Sequence, residues 1–105
     1  MPLTILCVHD DPRALMARSL ILSIAGYDVQ TAASGDAAIH LFARYEVDVV
    51  IADQSLPVVN GAQLSRLMKD VKPEVQVVLV GDTLEKAFIA DHADLVLTRC
   101  MEPEQ

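Results

Sequence analysis

Residues 3–12 read Leu-Thr-Ile-Leu-Cys-Val-His-Asp-Asp-Pro, and this stretch carries the clearest signal for the fold. Its first six residues are apolar except for one threonine, as in parallel strands that are covered on both faces. Asp11 followed by Pro12 is typical of a helix N-cap with proline at the first helical position. The stretch therefore predicts a buried strand that leads directly into a helix.

The same alternation of apolar runs and helical stretches continues along the chain. Predicted strands cover residues 3–8, 29–32, 47–52, 75–80 and Leu95–Thr98, and predicted helices cover 12–25, 35–45, 62–71 and a short fourth helix at 83–92. Alternation of this kind implies βαβ units and a doubly wound parallel sheet with helices on both faces. We therefore predict an α/β fold of five strands in the order 2-1-3-4-5.

The composition of the chain excludes several classes of protein. A chain of 105 residues with 52% apolar residues fits one folded domain, residues 1–105. Its net charge of −7 and its eight scattered Lys and Arg residues argue against direct nucleic-acid binding. The sequence has no apolar run of the ~18 residues that a membrane span needs. Two cysteines, Cys7 and Cys100, make no disulfide framework, so we expect a cytoplasmic protein.

Charged side chains gather where the predicted strands end. In open α/β sheets this edge forms the site, and strands one and three are neighbours in the predicted order. Asp10 and Asp53 should therefore converge there, and Mg²⁺ would relieve the repulsion between their carboxylates. The alternative is that acids at strand ends are N-caps or solvated loop residues, as we expect for Asp11. The residues at these ends are His9, Asp10, Asp11, Asp53, Asp82 and Arg99.

The order and spacing of these residues resemble the receiver family of two-component phosphorelays, over nearly the whole chain. The resemblance rests on Asp10-Asp11-Pro12, and on Asp53 with Pro57 four and Gly61 eight residues later. It implies a flavodoxin-like fold and a signalling module, not an enzyme. Its partner would be a histidine kinase or a phosphotransfer protein.

The resemblance also implies a role for each matching position. Asp53 stands at the phospho-acceptor position, and Asp10 at that of the acid that binds magnesium directly. Ser55 matches the position whose backbone carbonyl completes the metal shell, and Arg99 replaces the family lysine. His9 stands where the family usually has a further acid. Two interpretations stay open for it, a metal ligand or an ordinary residue at a strand end.

Other departures concern the readout of phosphorylation. Gly81 occupies the position of the family's Ser or Thr hydroxyl, and Val96 that of the aromatic ring that rotates on phosphorylation. The alternative function is therefore a pseudo-receiver, a protein-interaction module that is not phosphorylated. A hydrolase with an aspartyl nucleophile is disfavoured, because Asp53 follows the third strand and Ser55, not an acid, stands two residues on.

The chain stops where the family's fifth helix would begin, so we predict that this helix is missing or truncated. Its absence would leave the first helix, which is apolar nearly all round, uncovered on one side. Two hypotheses follow. The chain is cut from a longer protein, or the first helix forms a homodimer contact.

Overall fold

The computed structural model describes residues 3–81 and the backbone of Leu95–Thr98. Five parallel strands form one sheet in the order β2-β1-β3-β4-β5, which confirms the predicted fold class and strand order. The elements are β1 (Thr4–Val8), α1 (Pro12–Ile24), β2 (Asp28–Ala32), α2 (Gly35–Arg44), β3 (Val49–Asp53), α3 (Gly61–Val71), β4 (Gln76–Gly81) and β5 (Leu95–Thr98).

The third strand begins two residues later than predicted and includes Asp53. Asp48 explains the late start, because it bonds to Thr4 just before the regular strand pairing begins. The Asp48 backbone N–H donates to the Thr4 carbonyl at 2.9 Å. The Asp48 Oδ2 accepts from the Thr4 backbone N–H, also at 2.9 Å. At the other end, Asp53 pairs with Val80 of β4. The phospho-acceptor candidate is thus fixed by the sheet, not carried by a free loop.

Side-chain caps start the three helices that the structure describes. Asp11 Oδ1 accepts from the Arg13 N–H at 3.0 Å, and Pro12 follows at the first helical position, as predicted. Ser34 caps α2. Asn60 and Gln63 form a reciprocal capping box at the start of α3. Each of these helices therefore begins directly after the loop that follows a strand end.

One face of the sheet packs against α2 and α3 and holds the main core. Alternate residues of β1, β3 and β4 point to this side, as the period of two in a strand requires. The buried cluster consists of Leu6, Val8, Ala32, Ala38, Phe42, Val47, Val50, Ala52, Leu56, Leu64, Met68, Val75, Val77 and Leu79.

The other face carries α1, and this helix has no buried residue. Met16, Leu20, Ile21 and Ile24 lie on successive turns of α1 and are 58–78% exposed. The Nη1 atom of Arg18 is buried and has no hydrogen-bond partner among the residues that the structure describes. The two faces of the sheet therefore differ greatly in how well they are covered.

Several predicted features lie outside the described residues. These include the fourth helix, Asp82, Arg99, Cys100 and the chain end, where the fifth helix was expected to be missing. Among the helices that the structure does describe, none has the length and apolar character of a membrane span.

Candidate functional site

His9 follows β1 and is only 5% exposed. Its backbone N–H donates to the Ala32 carbonyl at 3.1 Å, which continues the pairing of β1 with β2 by one residue. Its ring nitrogen Nδ1 accepts a hydrogen bond from the backbone N–H of Asp11 at 2.9 Å. The imidazole is therefore oriented by the start of α1, and its other nitrogen, Nε2, points away from that bond.

Asp53 ends β3, beside β1, and is 2% exposed. Its Oδ2 lies 3.6 Å from Nε2 of His9. On the other side of the ring, Oδ1 of Asp10 lies 3.3 Å from Nδ1, and the Asp10 side chain is about half exposed (48%). The structure thus brings together His9, Asp10 and Asp53, with one ligand atom from each within 4.8 Å of the others.

This cluster has an inner and an outer part. The inner part is the buried pair of Asp53 and His9, and the outer part is the solvent-facing carboxylate of Asp10. Two carboxylates and one imidazole at such separations can share a cation or a proton, or can bind a group that carries positive charge. A buried carboxylate oxygen beside an N–H donor is also a suitable nucleophile for an electrophilic centre that arrives from solvent.

The loop after Asp53 is held tightly against the neighbouring helices. A Cβ atom at Gly61 would lie 2.8 Å from the Gln54 Cα and 3.0 Å from the Asp53 carbonyl oxygen, so this position excludes any larger residue without a backbone shift. Val58, at the tip, has φ of 67° and is 98% exposed. A β-branched residue rarely adopts this left-handed conformation, so the loop stores strain between Asp53 and α3.

Cys7 lies two residues before His9 and is fully buried in β1. Burial raises the pKa of the Cys7 thiol, while the nearby Arg18 guanidinium acts in the opposite direction. The Cys7 thiol is free, as predicted. The second cysteine, Cys100, lies outside the described residues.

The other predicted site residues are only partly described. Ser55 lies in the loop two residues after Asp53, with its side chain exposed. Gly81 ends β4 at the same edge of the sheet as Asp53 and is buried. Val96 lies in β5, where its backbone pairs with Leu79 of β4. Arg99 falls outside the described part of the chain.

The sequence left two interpretations open for His9, a metal ligand or an ordinary residue at a strand end, and the structure places its ring between Asp10 and Asp53. The signal was present in the run His9-Asp10-Asp11-Pro12. Because the helix must begin at Pro12, the amide of Asp11 is available to fix a side chain two residues earlier.

The sequence model of one protein family, the response regulator receiver domain, matches residues 5–104 of the chain. The chain belongs to this family. It is a receiver domain of two-component signalling, as the spacing of Asp10, Asp53, Pro57 and Gly61 predicted. Receiver domains are signalling modules that interact with histidine kinases or phosphotransfer proteins.

Two relatives illustrate the match. The receiver domain is 35% identical over 79 residues to the transcriptional regulatory protein GlrR of Escherichia coli (strain K12), covering 75% of this chain and 18% of that protein. It is 35% identical over 95 residues to the heme response regulator HssR of Staphylococcus aureus (strain Newman), covering 87% of this chain and 42% of that protein. The chain therefore spans less than half the length of either relative.

Solved structures share the fold. The response regulator protein TrrA of Thermotoga maritima, in complex with Mg²⁺-BeF, superposes with a TM-score of 0.86 at 22% identity. The match covers 95% of this chain and 89% of TrrA. At this identity the likeness establishes the fold alone, and the bound ligand belongs to TrrA.

Proposed function

We propose that this receiver domain accepts a phosphoryl group at Asp53 from a histidine kinase or a histidine phosphotransfer protein. The observation that carries the proposal is the convergence of Asp53, His9 and Asp10 at one edge of the sheet. A carboxylate oxygen of Asp53 would form a bond to phosphorus while the P–N bond of the phosphohistidine breaks. The products are an aspartyl phosphate and the free histidine of the donor.

Phosphoryl transfer depends mainly on positioning and on neutralisation of oxygen charge. The β3–β4 pairing holds Asp53 in place, and burial limits competing water around its carboxylate. Because Nδ1 of His9 accepts from the Asp11 amide, the proton of the neutral ring lies on Nε2, which faces Asp53. That N–H would donate a hydrogen bond to a carboxylate or phosphoryl oxygen.

The oxygen donors of the site fit magnesium. Asp10 and Asp53 supply carboxylates, and we propose the backbone carbonyl of Ser55 as a third ligand. When bound, Mg²⁺ would neutralise charge on the phosphoryl oxygens. We propose that Arg99, at the family's lysine position, adds a further positive charge. The imidazole of His9 is the one donor that does not suit this ion.

We also propose that the apolar stripe of α1, formed by Met16, Leu20, Ile21 and Ile24, is a contact surface for a second copy of the chain. Exposed apolar patches of this kind usually mark protein contacts. The stripe lies on one helix and carries no charge, so that two copies can pack the same surface against each other about a two-fold axis.

GlrR and HssR are each more than twice as long as the segment that they share with this chain. We propose that residues 1–105 act as one receiver unit of a longer protein, whose output is not specified by this domain.

Phosphoryl acceptance can be tested with acetyl phosphate and Mg²⁺, followed by intact-protein mass spectrometry. We expect the wild-type protein to gain one phosphoryl group and the Asp53→Asn variant to gain none. Asp70→Asn, which removes an exposed acid of α3, is the matched control and should behave as wild type. A wild-type protein that gains no phosphoryl group would favour the pseudo-receiver alternative.

A further inference from the structure

We propose that the α1 side of the sheet binds a helix of a partner protein that carries one carboxylate within an apolar face. The carboxylate would pair with Arg18, whose Nη1 atom is buried without a hydrogen-bond partner in the described part of the chain. Arg18 and four apolar side chains on the same side of the sheet form what we call the Arg18 surface. The four are Val49 and Ile51 of β3, and Val78 and Val80 of β4.

Strand pairing places this surface next to the part of the sheet that α1 covers. Cys7 of β1 pairs with Ile51, and Ile51 pairs with Val78, so the three side chains form one row on the α1 side. Cys7 is fully buried where α1 packs on β1, whereas Ile51 and Val78 are only partly buried. Their neighbours Val50 and Val77 point to the other face and are fully buried. Apolar surface therefore continues beyond α1 without equal cover.

Arg18 points from α1 toward this side of the sheet. Burial raises the pKa of the Cys7 thiol, and the Arg18 guanidinium is near enough to oppose that rise. Leu15 and Leu22 lie three and four residues from Arg18 on the helix, and all three are partly buried. The guanidinium thus lies in an apolar layer, where an N–H without an acceptor costs free energy and a charged one costs more.

A carboxylate is the group that fits this guanidinium. Arginine presents its N–H groups as a planar fork that matches the two oxygens of a carboxylate. Helices are the elements that cover sheet faces in α/β proteins, so a helix with an apolar stripe suits the rest of the surface. A second copy of α1 does not meet this need, because residues 12–24 contain no acid. The occupant is therefore a helix of another protein, with one Asp or Glu inside its apolar stripe.

Binding of amphipathic peptides tests this assignment. The probes are labelled peptides of about 18 residues, long enough to form a helix, with a leucine stripe. Each peptide carries one glutamate at a different stripe position, and its pair carries glutamine there. By fluorescence anisotropy, we expect at least one glutamate peptide to bind wild type at least about tenfold more tightly than its pair. The preference should disappear in Arg18→Gln and remain in Arg13→Gln, which removes an exposed arginine of the same helix.

The free protein provides a second test that needs no peptide. Arg18→Leu removes the unpaired donor and keeps an apolar side chain in the apolar layer. The midpoint of urea unfolding should therefore rise. Arg13→Leu makes the same change at an exposed position and should move the midpoint less.

Absence of peptide binding, equal affinities within every pair, or a glutamate preference that survives in Arg18→Gln would overturn the proposal. A lower unfolding midpoint in Arg18→Leu would also overturn it, because the guanidinium would then have a stabilising partner within the chain. If Arg18→Gln weakened self-association in sedimentation velocity, the occupant would be a second copy instead. Asp53→Asn should bind the peptides as wild type does, so this contact and phosphoryl acceptance can fail separately.

Discussion

The helices on both faces of the sheet carry apolar side chains, but the two faces bury these side chains to very different extents. On the α2–α3 face, Leu64 and Met68 are each 1% exposed, and they pack against alternate residues of three strands. On the α1 face, the large apolar residues Leu20 and Ile24 are 58% and 78% exposed. Apolar content alone therefore does not identify a core, because a helix adds to stability mainly through the side chains that it buries.

The largest expected effect is the difference in unfolding free energy between two leucine-to-alanine variants, one on each face of the sheet. Leu64→Ala should lower the free energy of unfolding by about 2–5 kcal/mol, since it leaves a cavity in packed surroundings. Leu20→Ala should change it by less than about 1 kcal/mol, because the side chain is mostly in water. Urea unfolding of both variants measures the difference. Equal losses would contradict the proposed contrast between the faces.

A smaller effect is expected where α3 meets the end of β3. Gly61→Ala places a methyl group against the backbone of Gln54 and Asp53, and should cost about 1–3 kcal/mol of stability. Gly26→Ala, after α1, meets no atom within 4 Å but has φ of 102°, and should cost only roughly 1 kcal/mol.

Amide NMR separates these two glycine variants. Gly61→Ala should shift the resonances of residues 53 and 54, whereas Gly26→Ala should leave them in place. If Gly61→Ala proved neutral for both stability and these resonances, the loop after Asp53 would not be packed as tightly as described.

The smallest effect on folded stability is expected from charge placed on the α1 stripe. Leu20→Glu should weaken self-association at least about tenfold, equivalent to ~1.4 kcal/mol, while the fold is retained. Leu67→Glu is the matched control, because Leu67 is a half-exposed leucine of α3 (45%). Sedimentation velocity over a range of concentrations gives the dissociation constants. A wild-type protein that stays monomeric throughout would contradict the homodimer proposal.

Short apolar runs that alternate with helical stretches predicted the α/β class, and the strand order followed from the commonest arrangement of five-stranded sheets of this class. Asp11-Pro12 marked a helix start that the structure confirms. The start of β3 was missed, because the bonding of Asp48 to Thr4 joins residues 44 positions apart and leaves no local pattern. Strand ends depend on such tertiary bonds more than on propensity.

The site was predicted in part for the same reason. Convergence of Asp10 and Asp53 follows from strand order alone, since parallel neighbours end at the same edge. The burial of His9 and the direction of its ring depend on one backbone amide, and no residue pattern specifies them. The role of Arg99 stays a prediction, because that residue lies outside the described part of the chain.

Asp53 should form one phosphoryl-accepting site with His9 and Asp10, which follow β1. The most direct measurement is amide NMR of the protein with Mg²⁺ and beryllofluoride, which mimics an aspartyl phosphate. Saturable shifts are expected at residues 9–11, 53–55 and 81, and they should disappear in Asp53→Asn. Shifts that are absent, or that persist without the Asp53 carboxylate, would contradict it.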